Sequence, residues 1–197
     1  MNIIKTAMLI MTFLYLSASL LKASPDIGIK AGINISNSSG GFASNPDYKN
    51  GFTGGLFFSS LISNQIFLQP ELLFSMKGYK FKNSPLDGKV SFQYIEFPLL
   101  IKAQILRKSF KNIHLYLGPV CSYNISARYE TTVYGSTLTG HVENVNDFDY
   151  GVIFGCNIGI INKIFIDLRY NLSFNDWDSI NKGYKHRVIA ILLNYTL

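Results

Sequence analysis

The sequence predicts an all-β fold, an eight-stranded antiparallel up-and-down transmembrane β-barrel, and three observations carry that prediction. Apolar and polar residues alternate with a period of two through eight segments. The connections between those segments alternate between long and short. Only 15% of the 197 residues are charged, against 48% apolar and 14% aromatic. That is thin for a water-exposed surface, where roughly 25 to 35% charged residues is usual.

The length supplies one domain and a short processing segment. An apolar fraction this high with a net charge of only +6 excludes disorder. Two cysteines exclude a disulfide scaffold or a zinc finger. At the start, Lys5 precedes the apolar run Ala7 to Leu21, and Lys22, Ala23, Ser24 and Pro25 follow it. This order predicts a secretory signal peptide over residues 1–23, cleaved near Ala23, with the barrel domain over 24–197. A retained anchor helix is the alternative, but the run is shorter than the roughly 20 residues that cross a bilayer. Removing Lys5 and Lys22 leaves a net charge of +4, too mild for a nucleic-acid partner.

The first predicted strand alternates Ile27, Ile29, Ala31, Ile33 and Ile35 with Gly28, Lys30, Gly32, Asn34 and Ser36. Successive side chains on a strand face opposite ways, so one face is greasy and the other polar. The second carries Phe52, Gly54, Leu56 and Phe58, and the third Ile66, Leu68, Leu72, Phe74 and Met76 against Gln69, Glu71, Ser75 and Lys77. In the fourth, Ile95, Phe97, Leu99, Ile101 and Ala103 oppose Glu96 and Lys102. Val90, Phe92 and Tyr94 break its phase, which predicts a bulge or a sheet rim. The fifth runs through Leu115, Leu117, Cys121, Tyr123 and Ile125, and the sixth through Tyr150, Val152, Phe154, Cys156 and Ile158. Ile164, Ile166, Leu168 and Tyr170 oppose Asp167 and Arg169 in the seventh, and Ile189, Ile191, Leu193, Tyr195 and Leu197 form the eighth. Pro70, Pro98 and Pro119 fall inside strands and predict bulges or edges there. Long connections are expected at 37–50, 79–89, 128–146 and 176–183, short ones at 62–65 and 161–163, and an intermediate one at 106–112. Short turns at one end and long loops at the other are the pattern of outer-membrane barrels.

Volume decides which face is inside. Eight strands enclose a space that side chains just fill, and most strands offer four to six large residues on the greasy face. Turned inward they would overpack the lumen, so the greasy face is expected to meet lipid. Lipid contact then requires a closed sheet, since every backbone donor and acceptor must be paired. The polar face sends Lys30, Glu71, Lys77, Glu96, Lys102, Asp167 and Arg169 into the lumen, with Asp147, Asp149 and His186. Both signs occur, so a paired structural network is expected. A catalytic or proton-relay cluster is the competing reading, but spacing assigns no nucleophile, base or orienting acid.

Cys121 and Cys156 fall on the lipid face of consecutive strands, nearly opposite if the hairpin is centred between Arg128 and Asp147. They read either as a cross-strand pair or as two small apolar side chains. Lys77, Lys80, Lys82 and Lys89 around the second long loop read as solvated lysines or as contacts for lipopolysaccharide, and Arg107, Lys108 and Lys111 form a second basic cluster. His114, His141 and His186 are too far apart to suggest a metal, and the chain has no P-loop, paired CxxC or HExxH. No cofactor is expected.

The segments GIKAGINIS (Gly28 to Ser36), QPELLFSMKG (Gln69 to Gly78) and YIEFPLLIK (Tyr94 to Lys102) resemble the outer-membrane β-barrel proteins of Bacteroidetes, the porin-family or PorT-like proteins. The resemblance spans essentially the mature chain and implies an eight-stranded barrel in the outer membrane, without naming any functional residue. Leu197 stands where such barrels often end in Phe, with Tyr195 nearby. The expected protein is a non-enzymatic outer-membrane barrel that acts structurally or through its long loops. Its expected partners are outer-membrane lipid and lipopolysaccharide, the barrel-assembly machinery during insertion, and envelope or secretion proteins. The rivals are a PorT-like accessory of type IX secretion, a lipid-modifying enzyme and a soluble lipocalin-like barrel.

Overall fold

The computed structural model describes residues 25–39, 46–83, 86–105, 113–180 and 183–197. The predicted signal segment and the cluster Arg107, Lys108 and Lys111 lie outside these residues. The strands are β1 (Asp26–Ser39), β2 (Asp47–Ser63), β3 (Ile66–Asn83), β4 (Leu86–Ile105), β5 (Ile113–Val133), β6 (Ser136–His141), β7 (Phe148–Ile161), β8 (Ile164–Ser173) and β9 (Lys185–Thr196). Eight of the nine form an antiparallel barrel. Neighbours in sequence pair all round, and β1 pairs with β9 from Gly28↔Thr196 to Ser39↔Lys185 to close the ring. The additional β6 is a short return strand that pairs only with the far end of β5. No described helix is long and apolar enough to cross a membrane.

The alternation sorts the side chains as expected. Ile33, Phe97, Ile101, Leu117 and Leu193 stand outward, each about half exposed, whereas Lys30, Asn34, Ser75, Glu96, Asp167 and Asn194 are buried within the barrel. An exposed apolar belt around a polar interior is the inverse of a soluble barrel. Apolar residues on the inner face fill what the polar ones leave. Phe57, Leu73 and Leu192 line the lumen, and Leu100, Tyr116, Val120 and Ile153 pack into one cluster there.

Three local expectations are corrected. The phase of β4 does not flip: Val90, Phe92, Tyr94 and Glu96 all point inward, and the irregularity is on β5, where Gln93↔Ser126 is followed by Tyr94↔Asn124 and Ile125 is the extra residue. The prolines sit at neither bulges nor edges. Around Pro70 the β2–β3 ladder passes from Phe57↔Glu71 to Ser60↔Leu68, and around Pro98 and Pro119 the β3–β4 and β4–β5 ladders skip in the same way. Each missing donor therefore opens a gap without changing register. The predicted loops 79–89 and 128–146 are largely strand, because β3 with β4, and β5 with β6, continue as hairpins far beyond the ring.

Those continuations make the wall uneven. β4 and β5 have 20 and 21 residues, against 10 in β8 and 12 in β9. Ten residues correspond to about 34 Å along a strand. The tall side ends in a two-residue turn in which Tyr134 (φ 46°) and Gly135 (φ 82°) both have positive φ, as in the type I′ turns that suit strand twist.

Candidate functional site

The lumen is filled from one end to the other. At the end of the short turns, Phe67 and Phe165 meet the His114 ring edge-on at 5.7 and 6.0 Å. Above them, side chains from β1, β3, β4, β5 and β8 form one ionic network. Lys30 Nζ donates to Glu71 Oε1 at 2.6 Å and to Asp167 Oδ2 at 3.0 Å. Arg169 Nη1 reaches Glu71 Oε2 at 3.0 Å, and its Nη2 reaches Asp167 Oδ2 at 2.5 Å. Lys102 Nζ donates to Gln69 Oε1 at 2.8 Å, and Gln69 Nε2 passes the contact on to Glu71 at 2.6 Å. The Tyr116 hydroxyl donates to Asp167. Three cations thus surround two carboxylates, and the side chains of Lys30, Glu71 and Asp167 are wholly buried. Burying charges this way is tolerated only with such complete pairing.

A smaller group lies higher. Lys77 pairs with Glu96 at 2.5 Å and sits 4.9 Å from the centre of the Tyr94 ring, while Ser173 Oγ donates to Asp149 Oδ2 at 2.6 Å. All seven expected lumen residues are inside, but in two groups: Lys77 and Glu96 stand apart from Lys30, Glu71, Lys102, Asp167 and Arg169. Asp149 and His186 are also inside, whereas Asp147 is exposed. Lys77 is therefore not part of the loop lysines, of which Lys80 and Lys82 are exposed.

The mouth is closed by an aromatic cluster that the sequence reading missed. Trp177 is only 6% exposed and lies 5.0 Å from Phe92, 5.2 Å from Tyr184 and 6.0 Å from Tyr79 between ring centres. Its indole N–H donates to Ser38 Oγ on β1 at 2.8 Å. The segment is held by backbone: Asn146 N–H donates to the Trp177 carbonyl, Trp177 N–H to that of Tyr184, and Val145 bridges Asp178. Burial in this cluster, with Tyr184 and Asp178 beside it, pushes the Tyr79 hydroxyl up to about 12, so it stays a neutral donor. The signal was present in the chain: Val90, Phe92 and Tyr94 share the parity of Glu96 and so mark an apolar stretch of lumen.

The two cysteines are not brought together. Cys121 pairs with Tyr150, and Cys156 with Leu115, so they lie six positions apart along the same ladder, about 20 Å. Both are free thiols. The hairpin is centred differently from the sequence estimate because β6 and the segment after it take up the connection.

The profile of the family described as outer membrane protein beta-barrel domain matches residues 23–179, most of the chain. The chain belongs to that family. No curated protein matches it. Among solved structures, the chain is similar to Neisserial surface protein A, with TM-score 0.55 and 14% identity over 89% of this chain and 100% of that one. The attachment invasion locus protein Ail of Yersinia pestis follows with TM-score 0.47 and 16% identity over 89% and 100%, and OprG of Pseudomonas aeruginosa with 0.45 and 10% over 90% and 98%. At these identities the likeness is one of fold. The protein is a small barrel of the outer membrane and not a wide pore.

Proposed function

We propose that this barrel acts from its surface: the lumen is a structural core, and the tall wall of β3 to β6 is the part presented to other molecules outside the cell. The observation that carries this reading is the double closure of the bore, an ionic network in the middle and the Trp177 cluster at the mouth. A lumen occupied by these side chains argues against a continuous path for a solute and against an apolar cavity for a ligand. The outward greasy belt likewise leaves a lipocalin-like barrel without its apolar interior. Lys30, Glu71, Asp167 and Arg169 are consumed by one another, which supports a structural role over a catalytic one. In outer-membrane barrels the short turns face the periplasm and the long loops face out, which puts Tyr134 on the cell surface.

Two measurements test this reading. Purified protein in a planar bilayer is expected to give no steady conductance; a stable open level would overturn the closed core. With both native cysteines replaced by serine, Tyr134→Cys is expected to react with an impermeant maleimide on intact cells. Labelling only after outer-membrane disruption would reverse the orientation. Crosslinking from the same position would identify an envelope or secretion partner, the PorT-like accessory role included.

A further inference from the structure

On the outer surface of the tall wall lies a groove of about 470 Å³ lined by Met76, Lys89, Gln93, Arg128, Glu130 and His141 among others. Pairing fixes its plan. Met76 lies opposite Gln93, Ser91 opposite Arg128, Arg128 opposite His141, and Lys89 opposite Glu130. Residues paired in this way stand on one face of a sheet. Their strand neighbours Val90 and Phe92 are buried on the other face, inside the barrel mouth. The groove is therefore on the exterior, where the belt of lipid-facing residues ends. The next outward row toward the membrane is Phe74, Ile95 and Tyr123. Two residues, about 7 Å along a strand, separate that apolar row from the first polar one.

The chemistry of the groove suits an anion. Arg128 makes no ion pair with any described residue, so its planar fork is uncommitted. Lys89 is held by Glu130 at 2.9 Å, but these side chains are 43% and 42% exposed. Such a pair is worth little in water, and the ammonium can turn to a stronger acceptor. Lys80 stands one strand away opposite Lys89. Glu130, Asp87 and Asp47, which stands opposite Lys80, are the opposing charges on this face, and they leave Lys80, Lys82, Lys89 and Arg128 with a small positive excess. Guanidinium and ammonium groups side by side bind phosphate through charge-assisted hydrogen bonds.

We propose that this groove binds the phosphorylated headgroup of an outer-leaflet glycolipid, with Arg128 and Lys89 holding a phosphate and the acyl chains lying on Phe74, Ile95 and Tyr123. Continuity with the lipid-facing belt selects a lipid over a soluble anion. The inference deepens the surface role and rests on its placement of the tall wall at the outer leaflet.

The test uses the full protein in phosphatidylcholine nanodiscs, with and without a few per cent lipid A, read by native mass spectrometry and by thermal melting. Lipid A is expected to remain bound to the wild type and to raise its melting temperature. Retention should fall at least tenfold in the Arg128→Gln, Lys89→Gln double variant. These side chains point away from the core, and a mobility shift on heating reports that the variant is folded; Arg128→Gln alone serves if the double variant is not. Equal retention by a folded variant would overturn the site. So would an equal melting shift from inorganic phosphate in lipid-A-free nanodiscs, since a soluble anion would then suffice. Lipid A occupies both leaflets in this assay, so it reads the groove alone, while the maleimide experiment reads orientation separately.

Discussion

Replacing Glu71 by Gln gives the sharpest test of the lumen as a structural core. The change preserves shape and removes one of two carboxylates facing Lys30, Arg169 and Lys102. Glu71 accepts from Lys30 at 2.6 Å, Gln69 at 2.6 Å, and two Arg169 nitrogens at 3.0 and 3.4 Å. With Gln there, one face must supply an amide N–H group instead of an acceptor, and three buried cations share Asp167 alone. Removing one member of a buried ion pair costs about 3 to 5 kcal/mol. By contrast, Lys89→Ala breaks an exposed pair worth about 0 to 1 kcal/mol. For a domain of this size each kcal/mol moves the melting temperature by about 2 to 4 °C, so Glu71→Gln should melt about 6 to 20 °C lower. The assay is the loss of fast gel mobility on heating, supported by urea unfolding in liposomes. A Lys30→Met, Glu71→Met variant should lose less than the sum of its single changes, because the two charges leave together. A fall of under about 1 kcal/mol in Glu71→Gln would refute the argument that the network holds the barrel together.

Three further outcomes are expected. Arg169→Ala should destabilise at least as strongly as Glu71→Gln, because it strands Glu71 and Asp167 together; unchanged melting would count against the network. Trp177 is the only tryptophan in the chain, so its fluorescence reads the mouth directly. Emission should be blue-shifted and shielded from acrylamide, and Ser38→Ala, which removes the acceptor of the indole N–H, should expose it at a cost of about 1 kcal/mol. Unfolded in the absence of reductant, the protein should take up two alkyl groups, one on each cysteine; a mass showing neither modified would contradict the ladder register.

Parity along the chain made much of the fold legible. Because side chains on a strand have only two directions, Lys30, Glu71, Asp167 and Arg169 could be placed inside from the sequence once lumen volume had decided the sidedness. Which charges would meet could not be read, since that depends on the stagger between strands. Lys30 and Asp167 are 137 positions apart and touch only because β1 and β8 flank β9. The same limitation misplaced the cysteines: a pairing register set by a distant hairpin is not encoded at Cys121 or Cys156. Val90, Phe92 and Tyr94 were misread for a different reason. Apolar residues at inner positions look like a phase error unless the mouth is known to hold a cluster with Trp177, which arrives from a loop some eighty residues later. Loop lengths misled as well: in the extension from Tyr79 to Asn83 the greasy residues Tyr79 and Phe81 face the mouth cluster while Lys80 and Lys82 face outward, so the segment lacks the outward greasy face that marks a strand in lipid.

The seam between β1 and β9 has a consequence for how the molecule is built. Its twelve residue pairs join the first and last strands of the described chain, so the ring stays open until β9 is in place. An unfinished copy would carry two raw borders of unpaired amides and carbonyls, which hydrocarbon cannot solvate. Insertion and closure are thereby coupled: products that lack β9 should remain outside the bilayer, available for degradation, and only a copy that carries it can settle there.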